Sequence, residues 1–305
     1  MNATAAVSGA QYAIAHGSYR ATIASIGASL RELSFDGREL VVPFDADELR
    51  PNYRGAMLAP WPNRVIDGRY ELGGEQFQLP LTEPARGHAL HGLASWLDFV
   101  ATSQSASAVA LEATIEPQAG YPWRLRVSVT NTLTDDGLAT TVTATNLSET
   151  AAPFGTGPHP YLVAGPGRVD NWVFELPAAR VLEVTSDRLI PMELVDVETA
   201  GFDWRIPRPV GDTFIDHAFT DLSRGSTGVT AVRLRSGDTG VELAWGPECP
   251  WVQIHTADLP DPAQSRRGLA VEPMTCPPDA FNSGTDLILI GAGDSTSASW
   301  VIRAL

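Results

Sequence analysis

Between residues 125 and 148 the chain reads LRVSVTNTLTDDGLATTVTATNLS, two runs of alternating apolar and polar residues split by Asp135, Asp136 and Gly137. Side chains of an extended strand point to opposite faces in turn, so each run buries one row and leaves the other to water. The acidic-glycine break reads as a hairpin turn. The same pattern recurs along the chain. RYELGGEQFQL places Tyr70, Leu72, Phe77 and Leu79 around Gly73 and Gly74, and TGVELAWG, PWVQIHT, TDLILIGAG and ASWVIRAL carry it to the last residue. Windows with apolar residues at helical spacing are scarce, and 27 glycines and 23 prolines punctuate the chain about as often as short strands require. The sequence therefore predicts an all-β chain. No low-complexity linker or abrupt change of composition divides it. One domain over residues 1–305 is expected, built from two or more large antiparallel sheets packed face to face.

Charge and residue usage exclude several kinds of function. All 21 basic residues are arginine. Without lysine there is no Schiff-base chemistry, no pyridoxal-phosphate attachment and no P-loop lysine. A formal net charge of -15 repels phosphate backbones and anionic lipid surfaces, so neither nucleic acid nor a membrane is expected as a partner. Cys249 and Cys276 lie far apart with no CxxC, which predicts reduced, buried thiols and neither a zinc cluster nor a disulfide framework. The opening MNATAAVSGAQYAIAHGSYR lacks a basic stretch followed by a sustained apolar one, and no later segment is long and apolar enough for a transmembrane helix. A soluble, cytoplasmic protein is expected, monomeric or homodimeric.

Five segments hold polar groups that sit oddly among strands. In FGTGPHPY, Pro160 biases His159 toward an extended conformation and Pro158 fixes its own φ, while Gly155 and Gly157 permit close backbone approach. One imidazole is thereby held rather than free; the alternative is a turn with an incidental histidine. In APWPNRVIDGRY, Asn63 and Arg64 follow a rigid Pro-Trp-Pro stretch, and an arginine held there presents a fixed fork of donors, unless it makes a surface salt bridge instead. RGHALHGLASW contains His88 and His91, three apart, but no HExxH, cysteine pair or third ligand accompanies them, so no metal is expected. A hydrogen-bonding role suits His91 better than His88, with a buried structural imidazole as the alternative.

GDTFIDHAFTDL embeds Asp216 and His217 among apolar residues. Neighbours in a strand face opposite ways, so only one can look into a given cavity, and Asp216 is the choice, against a solvent-facing turn acid. In LAVEPMTCPPDAFNSG, Glu272 ends an apolar run before Pro273, which suggests a partly desolvated carboxylate at a strand end beside Met274 and Phe281, with its pKa raised toward that of a general base. Glu71 and Glu242, by contrast, read as residues on the polar side of alternating strands. Together the five segments supply one proton donor, one proton acceptor and several hydrogen-bonding groups, the equipment for a neutral polyhydroxylated ligand. No GxSxG elbow or phosphate cradle occurs.

The order Asn63-Arg64, His91-Gly92, GPHPY with His159, DHAF with Asp216 and VEPMT with Glu272 resembles the aldose 1-epimerases, or galactose mutarotases, and SIGASLRELSFDGRELV resembles their opening strands. The resemblance covers nearly the whole chain. It implies a large antiparallel β-sandwich of the galactose mutarotase type, a supersandwich, with no metal or organic cofactor and a monosaccharide as substrate. It implies His159 as general acid, Glu272 as general base, and Arg64, His91, Asp216 and Asn63 as residues binding sugar hydroxyls. The glycine that often follows the family's His-Gly pair is Leu93 here, a departure that bears on the loop's shape and on sugar preference.

The expected chemistry interconverts α and β anomers: the anomeric hydroxyl loses a proton while the ring oxygen gains one, and the open aldehyde rotates and recloses. A histidine with an ordinary pKa near 6.5 is a protonated donor around neutrality, and a glutamate near 4.3 is an ionised acceptor. The two tips should converge across a gap wide enough for one pyranose. Three alternatives remain: a hexose-6-phosphate 1-epimerase with an arginine cluster drawn from Arg86, Arg266 and Arg267; a glycoside hydrolase using Asp216 and Glu272; and a non-catalytic sugar-binding protein offering Trp61 or Trp96 as a stacking face.

Overall fold

The structure is a computed structural model and describes residues 6–305; residues 1–5, part of the opening stretch discussed above, lie outside the described residues. Two large antiparallel sheets dominate. The larger has nine strands, with Leu125–Thr134, Gly137–Asn146, Ser295–Ala304 and Thr239–Trp245 as consecutive neighbours at its centre. The smaller has six: Tyr161–Leu162, Leu269–Met274, Trp251–His255, Asp216–Leu222, Ala178–Val184 and Pro191–Asp196, in that spatial order. A separate four-stranded sheet begins at Gln11–His16 and ends at Arg38–Glu39.

The DDG break is the expected hairpin, with Thr134 paired to Gly137 and Leu125 to Asn146. Along Leu125–Thr134 buried and exposed residues alternate without interruption, the mark of a sheet with one face on the core and one on water. Val127, Val129, Val142 and Leu243 of the larger sheet share one apolar cluster with Phe219, Val252, Ile254 and Val271 of the smaller. The face-to-face sandwich predicted from the alternation is thus present. The glycine pair at 73–74 likewise joins a hairpin, Arg69–Leu72 with Glu75–Gln78.

Glu242 departs from its expected place. Glu71 is exposed, but Glu242 is only 2% exposed. Its two cross-strand neighbours are Arg233 and Arg303. Both guanidiniums bond its carboxylate, Arg233 at 2.6 Å, so two arginine stems cover what alternation alone would leave to solvent. Cys249 and Cys276 are buried and unbridged, as expected. Among the described residues no helix is long and apolar enough to cross a membrane.

One strand of the smaller sheet matters most for function. Every residue of Leu269–Met274 is buried, so both of its faces are covered. The core lies on one side, and the chain around residues 52–64 and 83–91 closes over the other, leaving a cavity between.

Candidate active site

The cavity floor follows from strand register. In Leu269–Met274 the core takes Leu269 and Val271, which turns Ala270, Glu272 and Met274 to the other face. In Trp251–His255 the core takes Val252 and Ile254, which turns Trp251, Gln253 and His255 away. Gln253 stands opposite Glu272, and His255 stands opposite both Ala270 and Asp216. Period-two alternation in three adjacent strands therefore lines up Glu272, Gln253, His255 and Asp216 on the face away from the core.

Glu272 lies inside its strand rather than at its end, and Pro273 is a paired residue, opposite Val252. The missing N–H does no harm there. Val271 donates to the Pro160 carbonyl and Thr275 to that of Thr156, and Pro273 falls midway between. The stretch facing it, Gly157–Pro158–His159, bonds elsewhere: the His159 N–H donates to Ala56 O at 3.1 Å, and the Gly55 N–H donates to His159 O at 2.7 Å. The two prolines thus free His159 from the sheet, and a different segment fixes it.

Its ring stacks on Tyr161, with centroids 5.1 Å apart and planes 23° apart, and meets His91 edge-on at 5.0 Å. The backbone of His91 is left-handed, with φ of 63°, and Gly92 follows at 72°. A Cβ on Gly92 would fall 2.1 Å from the Ala59 carbonyl oxygen, so that position admits only glycine. Leu93 needs no such freedom: its φ is -108° and its N–H donates to Ala59 O. The His91 Nδ1–H donates to Pro62 O at 2.7 Å, which leaves Nε2 as an acceptor. Burial lowers the His91 pKa to about 3, against the opposing pull of the Pro62 carbonyl.

His159 Nε2 lies 3.5 Å from Glu272 Oε1, and both side chains are almost fully buried. The proton donor and acceptor named from the sequence do converge, but they meet directly and leave no pyranose-wide gap. Their charge states also differ from expectation. Burial pushes Glu272 well above the ordinary carboxylate range, with Asp216 adding to the effect and Arg64 opposing it. Burial pushes His159 well below the ordinary imidazole range, with His91 and His255 adding to it. Among the described residues, Glu272 Oε2 and His159 Nδ1 are buried without a hydrogen-bond partner.

Asn63 and Arg64 form a wall. Asn63 Oδ1 accepts from the Arg64 N–H at 2.8 Å. The Arg64 fork is not free: Nε and Nη2 bond the two oxygens of Glu83 at 2.8 and 3.0 Å, and Arg86 bonds the same carboxylate at 2.8 Å. Burial alone would weaken the Arg64 cation, but Glu83, Asp216 and Glu272 outweigh it and raise its pKa. The pair is thus a salt bridge, though a buried one that faces the cavity. Asp216 Oδ1 accepts from Gln253 Nε2 at 2.7 Å, and His217 turns away to pack on Phe202.

The cavity encloses about 300 Å³ and is lined by all six residues named from the sequence: Asn63, Arg64, His91, His159, Asp216 and Glu272. His88 stays out of it, held between the Asp67 N–H and the Arg188 carbonyl. Neither tryptophan lines it either. Trp61 is buried and donates to Ala89 O, and Trp96 carries the Arg50 guanidinium 4.4 Å over its ring. Glu83, Gln253, His255, Tyr53, Tyr161 and Phe214 line it without having been singled out. Gln253 and His255 were open to inference from the alternation in PWVQIHT; Glu83 carries no local signal. Among the described residues no group of three or more His, Cys, Asp or Glu side chains is placed to hold a metal ion.

Comparison with known proteins shows the family and the fold. The family model described as aldose 1-epimerase matches residues 10–303, and the chain belongs to that family. It is 35% identical to the uncharacterized protein YihR of Escherichia coli K12 over 94% of this chain and 90% of that one. It is 27% identical to a galactose mutarotase of Mus musculus over 72% of this chain and 67% of that one. Among solved structures, a GalM/aldose epimerase homologue from C. elegans superimposes with a TM-score of 0.85 at 20% identity, covering 97% and 98% of the two chains. A putative aldose 1-epimerase from E. coli K12 gives 0.82 at 23% identity, covering 97% and 99%. The all-β fold of large antiparallel sheets is shared with these galactose mutarotase-like proteins.

Proposed function

We propose that the protein is an aldose 1-epimerase acting on a free aldose such as glucose or galactose, with His159 and Glu272 as the acid–base pair. The observation that carries this reading is the buried contact between His159 Nε2 and Glu272 Oε1 at the floor of a polar cavity. The ring oxygen and the anomeric hydroxyl of a pyranose are bonded to the same carbon. A donor for one and an acceptor for the other must therefore be neighbours, as these two tips are. The sugar lies over both rather than between them.

Burial disfavours the charge on each group, carboxylate on Glu272 and imidazolium on His159, and so favours the neutral pair. Protonated Glu272 beside neutral His159 carries the same number of protons as ionised Glu272 beside an imidazolium. One proton crossing the contact turns the first pair into the second. Sugar hydroxyls hydrogen-bonded to the floor stabilise the charged pair, which then acts: Glu272 takes the anomeric proton while His159 gives one to the ring oxygen. The ring opens, the aldehyde turns, and closure on its other face reverses both transfers. Each positioned group contributes about 100- to 10,000-fold in rate. Arg64, His91, Asp216 and Asn63 hold the hydroxyls that do not react.

The charge of the lining favours an unphosphorylated sugar. Glu83, Asp216 and Asp258 outnumber Arg64 and Arg86, and both guanidiniums are engaged by Glu83. Arg266 is paired with Asp170 and Asp258, so the arginines considered for a phosphate site are not a free cluster. Polarimetry of freshly dissolved α-glucose, α-galactose and a pentose, with the wild type and with His159→Ala and Glu272→Ala, tests the assignment. Loss of at least about 100-fold in both folded variants is expected. Near-normal mutarotation by either refutes the pair, and release of an aglycone from nitrophenyl glycosides would point to a hydrolase instead.

A further inference from the structure

Burial falls steeply from the floor of the cavity to its mouth. Glu272 and His159 are 1% and 5% exposed, whereas Phe214, at the mouth with Leu259 and Asp258, is 51% exposed. A single exposed apolar residue is ordinary. Phe214 is unusual in how rigidly it is presented. The next residue, Ile215, is pinned on both sides: its N–H donates to Thr256 Oγ1 at 3.0 Å, and its carbonyl accepts the Thr256 N–H at 2.9 Å.

The preceding loop is held by Arg266, a nearly buried arginine in left-handed backbone with φ of 56°. Its guanidinium donates to the carbonyls of Gly211 at 2.6 Å and Thr213 at 3.3 Å, and to the carboxylates of Asp170 and Asp258. One side chain therefore staples the Phe214 loop to the loop that carries Leu259. Phe214 and Asp216 both line the cavity.

The other aromatic rings in the lining are occupied. Tyr161 has His159 stacked on it and the Arg54 guanidinium over it, and Tyr53 packs against His91 and Trp96. Phe214 is left as the most exposed aromatic ring of the lining.

We infer that Phe214, with Leu259, is an apolar subsite for the end of the sugar remote from its anomeric carbon, and that it selects hexopyranoses over pentopyranoses. This rests on the mutarotase reading above. With C1 at the floor, the far side of the ring and its exocyclic carbon reach the mouth, where the methylene that a hexose has and a pentose lacks meets the phenyl face. Hydroxyls at the same end turn to Asp258 and Arg86.

The test compares kcat/KM for mutarotation of glucose against xylose and of galactose against L-arabinose, pairs that differ only in the exocyclic group. The wild type should favour the hexose by about tenfold or more, the lower bound for one added carbon in an apolar contact. Phe214→Ala should cut that preference by at least about threefold, mainly through a higher KM for the hexose, with Phe214→Leu restoring most of it. A wild-type preference under tenfold, or a smaller change in Phe214→Ala, overturns the inference. Should the alanine variant fail to fold, Leu259→Ser carries the same expectation. A wild type that turns over none of the four sugars refutes the mutarotase reading itself.

Discussion

Replacing Glu272 by Gln should abolish turnover and make the protein more stable, by an amount that depends on pH. The carboxyl is 1% exposed, and burial raises its pKa well above the ordinary value of 4.5. A group whose pKa is raised on folding contributes stability that is complete below its unfolded pKa and is lost as pH rises toward its folded one. Above about pH 4.5 the unfolded chain sheds this proton while the folded chain retains it. In that window the wild type therefore loses about 1.4 kcal/mol per pH unit relative to a variant that cannot titrate there. Between pH 5.5 and pH 7.5 the gap should widen with each pH unit until the folded pKa is reached, by at most about 3 °C in Tm per unit at about 2 °C per kcal/mol for a chain of this size. His159 is common to both proteins: its pKa is depressed, so its contribution is present above the ordinary imidazole range and is lost as pH falls below it, and it cancels from the difference between them. Thermal melts of both proteins across this range, followed by circular dichroism, measure the gap. A constant gap, or a Gln variant that melts below the wild type at pH 7.5, would show that the carboxyl is ionised and satisfied in the folded protein, against the reasoning above.

Three other outcomes follow from particular contacts. Glu83→Gln leaves Arg64 and Arg86 without their shared carboxylate; KM for the free sugar should rise about tenfold, the worth of a charged hydrogen bond, and calorimetry should detect binding of a sugar phosphate that the wild type ignores. An unchanged KM would show that Glu83 does not set the Arg64 fork. Gly92→Ala places a Cβ 2.1 Å from Ala59 O at a φ of 72°, so urea unfolding should show a loss of about 3 kcal/mol or more; an unchanged midpoint would mean that the loop moves freely. Burial pushes the Cys276 thiol up to about 12 and raises that of Cys249 also, so a thiol-reactive dye should label neither in the native protein and both after denaturation.

Alternation made the larger sheet legible, because strands such as Leu125–Thr134 have one wet face and one dry one. It failed at Glu242, where the second face is covered by arginine stems from neighbouring strands, and at Glu272, where a central strand with two buried faces looks like the end of an apolar run. Local backbone chemistry identified His159 as a held residue, since its flanking prolines leave a mark in the sequence, whereas the left-handed backbone of His91 and Gly92 came to light only in the structure. What holds each of them left no such mark: Ala56 and Gly55 for His159, Pro62 for His91.

The sequence by itself determined which residue types could move a proton and which positions the chain would make rigid, because both are properties of single residues and their immediate neighbours. Only the tertiary structure decided that the two proton-carrying groups touch, that burial disfavours the charge on each, and that Glu83 occupies the arginine fork. Those outcomes depend on strand register and on solvent exclusion, which arise between segments far apart in the chain.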